Sequence, residues 1–99
     1  MLHTVNKSPF ERSALDDCLR HAQPGSTILL IEDGVYAALQ GTAHSARVEQ
    51  AAKGLRILAL RADVEARGLQ NKLLAGIALV DYDGFVDLVV ENSPVMAWL

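Results

Sequence analysis

Cys18 is the single thiol of the chain, and a lone cysteine admits two chemistries: it packs as a small buried hydrophobe, or it carries sulfur as a reactive thiolate. Reactivity needs exposure and a cation or a helix N-terminus close to the sulfur. Cys18 stands instead on the stripe Ala14, Leu15, Cys18, Leu19 and Ala22, late in its expected helix. Asp16 and Asp17 disfavour a thiolate there, and Arg20 and His21 offset them only in part. The stripe reads as a core face, so Cys18 is expected to be a packed thiol first and a sulfur carrier second. With no second cysteine an internal disulfide is excluded.

Glu32, Asp33 and Tyr36 follow the apolar run Thr27 to Ile31. In an open α/β sheet such a strand-to-helix turn lies at the carboxyl edge, where ligands and reacting groups gather. Adjacent carboxylates and a phenol can work as acid, base or hydrogen-bonding groups. The segment supplies no nucleophile and no oxyanion donor beside them, so capping of a helix by Asp33 and solvation of Glu32 is the simpler reading. Asp81-Tyr82-Asp83 ends a later strand at the same edge, and with Asp33 it could form a cation site of hard oxygen ligands. Solvation and helix capping explain it better. His3 reads as a hydrogen-bonded core residue, His21 as a partner of its helix's C-terminal dipole, and His44 as a surface residue. The three are scattered, and no metal site is expected. The glycines stand singly, so no loop of the kind that cradles phosphate is present and no cofactor is expected. Trp98 and Leu99 in an apolar tail, with Tyr36, are the candidates for contact with another chain.

The elements that must position these groups alternate. Leu2 to Val5 reads as a first strand, and Ser8-Pro9-Phe10-Glu11 as a helix start with an N-cap serine and a proline at the first position. Gln23-Pro24-Gly25-Ser26 stops that helix. Thr27 to Ile31 is apolar without alternation, as in a parallel strand covered on both faces. Short helices are expected from Asp33 to Leu39 and from about His44 to Lys53, with Gly41 and Gly54 closing them. A third strand spans Leu55 to Leu60, and Asp63 to Leu69 gives a cap, one or two turns and a glycine stop. Ile77 to Val80 is a fourth strand. Asp83-Gly84 is also a hairpin signal, but Phe85, Leu88 and Val89 share a helical face, which favours a helix from about Asp83 to Glu91 ended by Asn92, Ser93 and Pro94. The tail Val95 to Leu99 is apolar enough to dock on this domain or on another chain. The pattern is α/β: one domain over residues 1–99, with a small open parallel sheet of about four strands flanked by helices.

A chain of 99 residues, half of them apolar, supports one modest core and gains from a partner. Its net charge of -3 argues against a phosphate-binding surface and hence against direct contact with nucleic acid. Its amino-terminal apolar run is too short for a signal peptide, and no stretch approaches the roughly 20 residues that span a bilayer. A soluble, cytoplasmic protein without membrane contact is expected.

Taken in order, Leu2-His3-Thr4-Val5-Asn6-Lys7-Ser8-Pro9-Phe10, Glu32-Asp33-Gly34-Val35-Tyr36-Ala37-Ala38, Ala66-Arg67-Gly68, Val80-Asp81-Tyr82, Phe85-Val86-Asp87-Leu88 and Ala97-Trp98 resemble the DsrH/TusB family over essentially the whole chain. Asn6 to Arg12 and the cysteine of the first helix are more similar to the DsrH branch. The resemblance implies a DsrE-type fold of the flavodoxin-like, three-layer kind, and a place beside DsrE/TusD-like and DsrF/TusC-like subunits in a heterohexamer that relays persulfide sulfur. It also implies that the principal acceptor cysteine belongs to the DsrE or TusD subunit, and that Cys18 matches a helix-one cysteine with at most a secondary persulfide role. Two pathways are open, sulfur oxidation (DsrH-like) and 2-thiolation of the tRNA wobble uridine (TusB-like), the first modestly favoured by likeness. The chain alone could form a homo-oligomer. Two other classes stand beside this reading: an independent persulfide carrier using Cys18, and a non-sulfur ligand-binding module with Asp33 and Asp81 at its edge.

Overall fold

Thr27–Leu30 takes the middle of the sheet because all four residues can be buried, on both faces of a strand with a neighbour on either side. The computed structural model describes residues 1–92 and 94–99. The elements run β1 (Leu2–Val5), α1 (Ala14–His21), β2 (Thr27–Leu30), a 3-10 helix (Glu32–Ala38), α2 (Ser45–Ala51), β3 (Arg56–Leu60), α3 (Arg61–Ala66), β4 (Ala78–Val80), α4 (Tyr82–Glu91) and β5 (Val95–Trp98). The strands lie in the order β4-β3-β2-β1-β5, every neighbouring pair parallel.

From β1 to β4 the chain steps one way across the sheet, and then β5 returns to the far side of β1. Crossovers between parallel strands are right-handed, so a reversal of direction moves the connecting helix to the opposite face. Two cores result. Val5, Ile28, Leu30, Ile57 and Ala59 meet Leu15, Cys18, Val35, Val48 and Val64 on one face. Leu2, Leu29 and Leu58 meet Leu88 and Phe85 of α4 on the other. Along β2, Ile28 and Leu30 serve the first core and Leu29 the second, which is why that strand shows no polar alternation.

Where the structure departs from expectation, burial overrides local signals. The sheet has five strands, the fifth being the apolar tail, which docks on its own sheet in register with β1 from Leu2↔Val95 to Val5↔Trp98. Without it β1 would be an open apolar edge. The Ser8-Pro9 signal does not begin α1. It closes a separate turn, in which Ser8 O accepts from the N–H groups of Glu11 and Arg12 at 3.1 Å each and Ser8 Oγ accepts from Phe10 N–H at 3.2 Å. Residues 9–13 offer nothing to bury, with Phe10 largely exposed, so helix propagates only from Ala14, where the apolar stripe meets the sheet. α2 is shorter than expected, and α3 begins directly at Arg61 rather than at a cap on Asp63. The helix expected from Asp83 is present as α4, one residue longer at its start, and Asp81 caps it by accepting Gly84 N–H at 2.8 Å. Of its expected stop signals, Ser93 lies outside the described residues.

Candidate functional site

The direction reversal places a topological switch between β1 and β5, and the crevice beyond the carboxyl ends of the strands is where such sheets bind ligands. That edge carries Asn6 and Lys7 after β1, Glu32 and Asp33 after β2, Arg61 after β3, Asp81 after β4 and Leu99 after β5. The Asn6 side-chain oxygen is buried and has no hydrogen-bond partner among the described residues.

The acidic turn is a braced corner. Glu32 sits at φ 50°, in the left-handed region that non-glycine residues enter at a cost of about 1–3 kcal/mol unless neighbours hold them there. The brace comes from α3 and the residue that ends it: Asp63 Oδ2 accepts Glu32 N–H at 2.7 Å, and Arg67 at the C-cap donates to Asp33 Oδ1 from Nε at 3.1 Å and from Nη2 at 2.9 Å. Arg67 Nη1 also donates to Asp63 O at 3.1 Å. Asp33 therefore does not cap the 3-10 helix, as the sequence suggested; the N-cap position is Ile31, the first helical N–H goes to Asp63, and the Asp33 carboxylate is engaged by a guanidinium 34 residues away. Gly34 lies against β1 so closely that a Cβ would fall 2.0 Å from Val5 O. The sequence reading took Asp63 for a helix cap and gave neither the brace that Asp63 and Arg67 form nor the contact at Gly34, because each depends on a crossing between distant segments.

With Asp33 paired to Arg67 and Asp81 committed to its cap, the two are not brought together as a cation site. Among the described residues no group of three or more His, Cys, Asp or Glu is placed to hold a metal ion. Tyr36 is half-buried against the main core, and Leu99 is 79% exposed at the chain end.

Cys18 lies on the sheet-facing side of α1 and is wholly buried. Burial among apolar groups pushes its thiol up to about 12, so at neutral pH it is protonated and closed to attack on a sulfur donor. His3 is buried in β1, where its Nδ1 accepts the Trp98 indole N–H at 3.1 Å. His21 is exposed, its Nδ1 lying 2.8 Å from Asp17 O and its ring 5.3 Å from that of Trp98. Trp98 thus clamps β5 to β1 and α1. His44, expected at the surface, is half-buried, with Phe10 edge-on at 4.9 Å.

The Trp98 clamp requires a neutral His3. Desolvation first, and the charge of the chain's amino terminus second, hold His3 below its ordinary value of 6.5. Between that value and the lower folded one the unfolded chain binds more protons, so this contribution is complete above pH 6.5 and is lost as pH falls through the folded value. Denaturant titrations followed by Trp98 emission should show an acid-side decline that His3→Asn reduces; equal slopes for the two proteins count against the clamp.

These features define a small doubly wound α/β domain whose carboxyl edge is occupied by a braced acidic corner, with its thiol in the core. Residues 7–95 match the family described as DsrH like protein. The chain is 41% identical to Protein TusB of Pectobacterium parmentieri over 98 residues, spanning 99% of this chain and 100% of that one. Protein TusB of Escherichia coli (strain K12 / DH10B) is 38% identical over 100 residues with the same coverage. The chain belongs to the DsrH/TusB family. The ychN protein from E. coli shares its fold, with a TM-score of 0.80 over 97% of each chain at 15% identity.

Proposed function

We propose that this protein is an accessory subunit of a cytoplasmic sulfur-relay complex, folded as one domain over residues 1–99 and seated beside DsrE/TusD-like and DsrF/TusC-like subunits in a heterohexamer. The observation that carries the reading is the burial of the lone cysteine in a family whose members bear the names DsrH and TusB. Persulfide transfer needs a thiolate that can reach the donor's outer sulfur, and Cys18 is neither ionised nor accessible. The carrier cysteine therefore belongs to a neighbouring subunit, and this chain supports it. The independent carrier built on Cys18 and the cation-binding module are the weaker readings for the same reasons of burial and pairing. No helix among the described residues is long and apolar enough to cross a membrane, in keeping with a cytoplasmic complex.

The product pathway follows the relatives. Full-length identity of 41% and 38% to proteins named TusB supports delivery of sulfur for 2-thiolation of the tRNA wobble uridine, which revises the modest lean toward the DsrH branch. Sulfur oxidation stays as the second reading because the matching family model bears the DsrH name. Deletion of the gene should deplete 2-thiouridine in digested tRNA and leave growth on reduced sulfur compounds unchanged; the reverse pattern selects sulfur oxidation. Native mass spectrometry of the chain co-expressed with its sister subunits should show a mixed assembly, and monomers alone would refute the subunit reading.

A further inference from the structure

α4 shows solvent a face that an isolated domain has no use for. Leu88 and Phe85 point into the second core, while Tyr82, Val86, Val89 and Val90 remain exposed, Tyr82 at 68%, Val86 at 42% and Val90 at 75%. Their spacing of i, i+4, i+7 and i+8 gathers them into one strip along the helix. Asp83, Asp87 and Glu91, at i, i+4 and i+8, form a second strip along the flank of the first. α4 contains no lysine or arginine, so these carboxylates have no cation within the helix. Tyr82 is held at the head of the apolar strip by an edge-on contact with Phe85, ring centroids 6.1 Å apart.

We propose that this strip is the docking surface for a partner subunit whose contact face is apolar and bordered by lysine or arginine on the side that meets Asp83, Asp87 and Glu91. The inference rests on the subunit reading above and adds to it where on this chain the neighbour sits and what chemistry the neighbour presents. The apolar strip supplies the area that drives association, and the acidic flank sets partner and orientation, since like charges brought together in an interface are strongly disfavoured. A second copy meeting the same face would add its own three carboxylates and no cation from α4. The charge pattern therefore favours a different chain over self-association here.

The test uses the co-expressed complex. V86D/V90D and the charge-reversed D83K/D87K/E91K should each weaken association roughly tenfold or more, and the charge reversal should abolish the loss of affinity with salt shown by the parent. Circular dichroism and the thermal midpoint check that each variant folds, and Val90→Ser provides a mild second substitution at an exposed site. If the parent assembles and all variants assemble equally well, the docking surface lies elsewhere and only this inference falls. Assembly that needs the valines but ignores both charge and salt overturns the basic-bordered partner. If the chain alone dimerises through α4 and V86D/V90D dissolves the dimer, a second copy replaces the proposed occupant. If the parent does not assemble with its sisters at all, the subunit reading falls together with this one.

Discussion

Gly34→Ala is expected to destabilise the protein by about 3 kcal/mol, near the upper end for overpacking a well-packed site. The added Cβ would lie 2.0 Å from Val5 O and 2.8 Å from Val5 C, both backbone atoms of the central part of the sheet. A flexible side chain could swing away, but β1 cannot, since it is paired along its length with β2 on one side and β5 on the other. Val5 O is also the acceptor for Ile31 N–H at 3.0 Å, the bond that leads β2 into the acidic corner. Displacing the corner to relieve the clash would therefore strain that bond and the Arg67–Asp33 pair together. Urea denaturation should show a lowered midpoint at an unchanged slope; a loss under about 0.5 kcal/mol, the scatter of surface substitutions, would mean that the approach at Gly34 is not tight.

Raising the pH should remove stability through the buried Cys18 thiol. The folded state holds this thiol up at about 12 against an ordinary value of 9.0, because burial penalises the thiolate. Between those values the unfolded chain has released a proton that the folded chain keeps, so the folded state is disfavoured progressively as pH rises. Stability is complete below pH 9 and falls by about 1.4 kcal/mol for each further pH unit, reaching about 2 kcal/mol by pH 10.5, with the decline ending above the folded value. The informative quantity is the difference between the parent and Cys18→Ala, which isolates the thiol. That variant loses some stability at neutral pH through the missing sulfur, yet its alkaline curve should be flatter by the amount stated. Identical alkaline slopes would show that the thiol is not held protonated. The same burial predicts that the folded chain gains no sulfur atom at Cys18, by intact mass, when offered a sulfur donor; ready loading would restore the independent carrier as a reading.

Much of the architecture can be read in the residues. The unalternating run Thr27 to Ile31, the apolar stripe through Cys18 and the face shared by Phe85 and Leu88 identify a parallel sheet covered by helices, because burial on two faces or one leaves its period in the sequence. The burial of Cys18 and the hydrogen-bonded core role of His3 were legible in the same way, and so was the cap at Asp81. The exposed strip on α4 is equally present in the sequence, since Tyr82, Val86 and Val90 repeat at helical spacing beside Asp83, Asp87 and Glu91, whereas Val89, which spacing groups with the inward Phe85 and Leu88, stands at the rim.

What the sequence by itself determined is the type of most elements and the main face they bury, since both follow from side-chain period over a few neighbouring residues. Tertiary structure alone decided the rest. That the tail is a fifth strand, that Trp98 meets His3 across 95 residues, that Asp33 pairs with Arg67 instead of capping a helix, and that Gly34 must lie against Val5 all depend on which segments become neighbours. The physical reason is the same in each case: a hydrogen bond, an ion pair or a steric limit between distant segments leaves no period in the chain, and it arises only when the direction of the crossovers has brought the partners together.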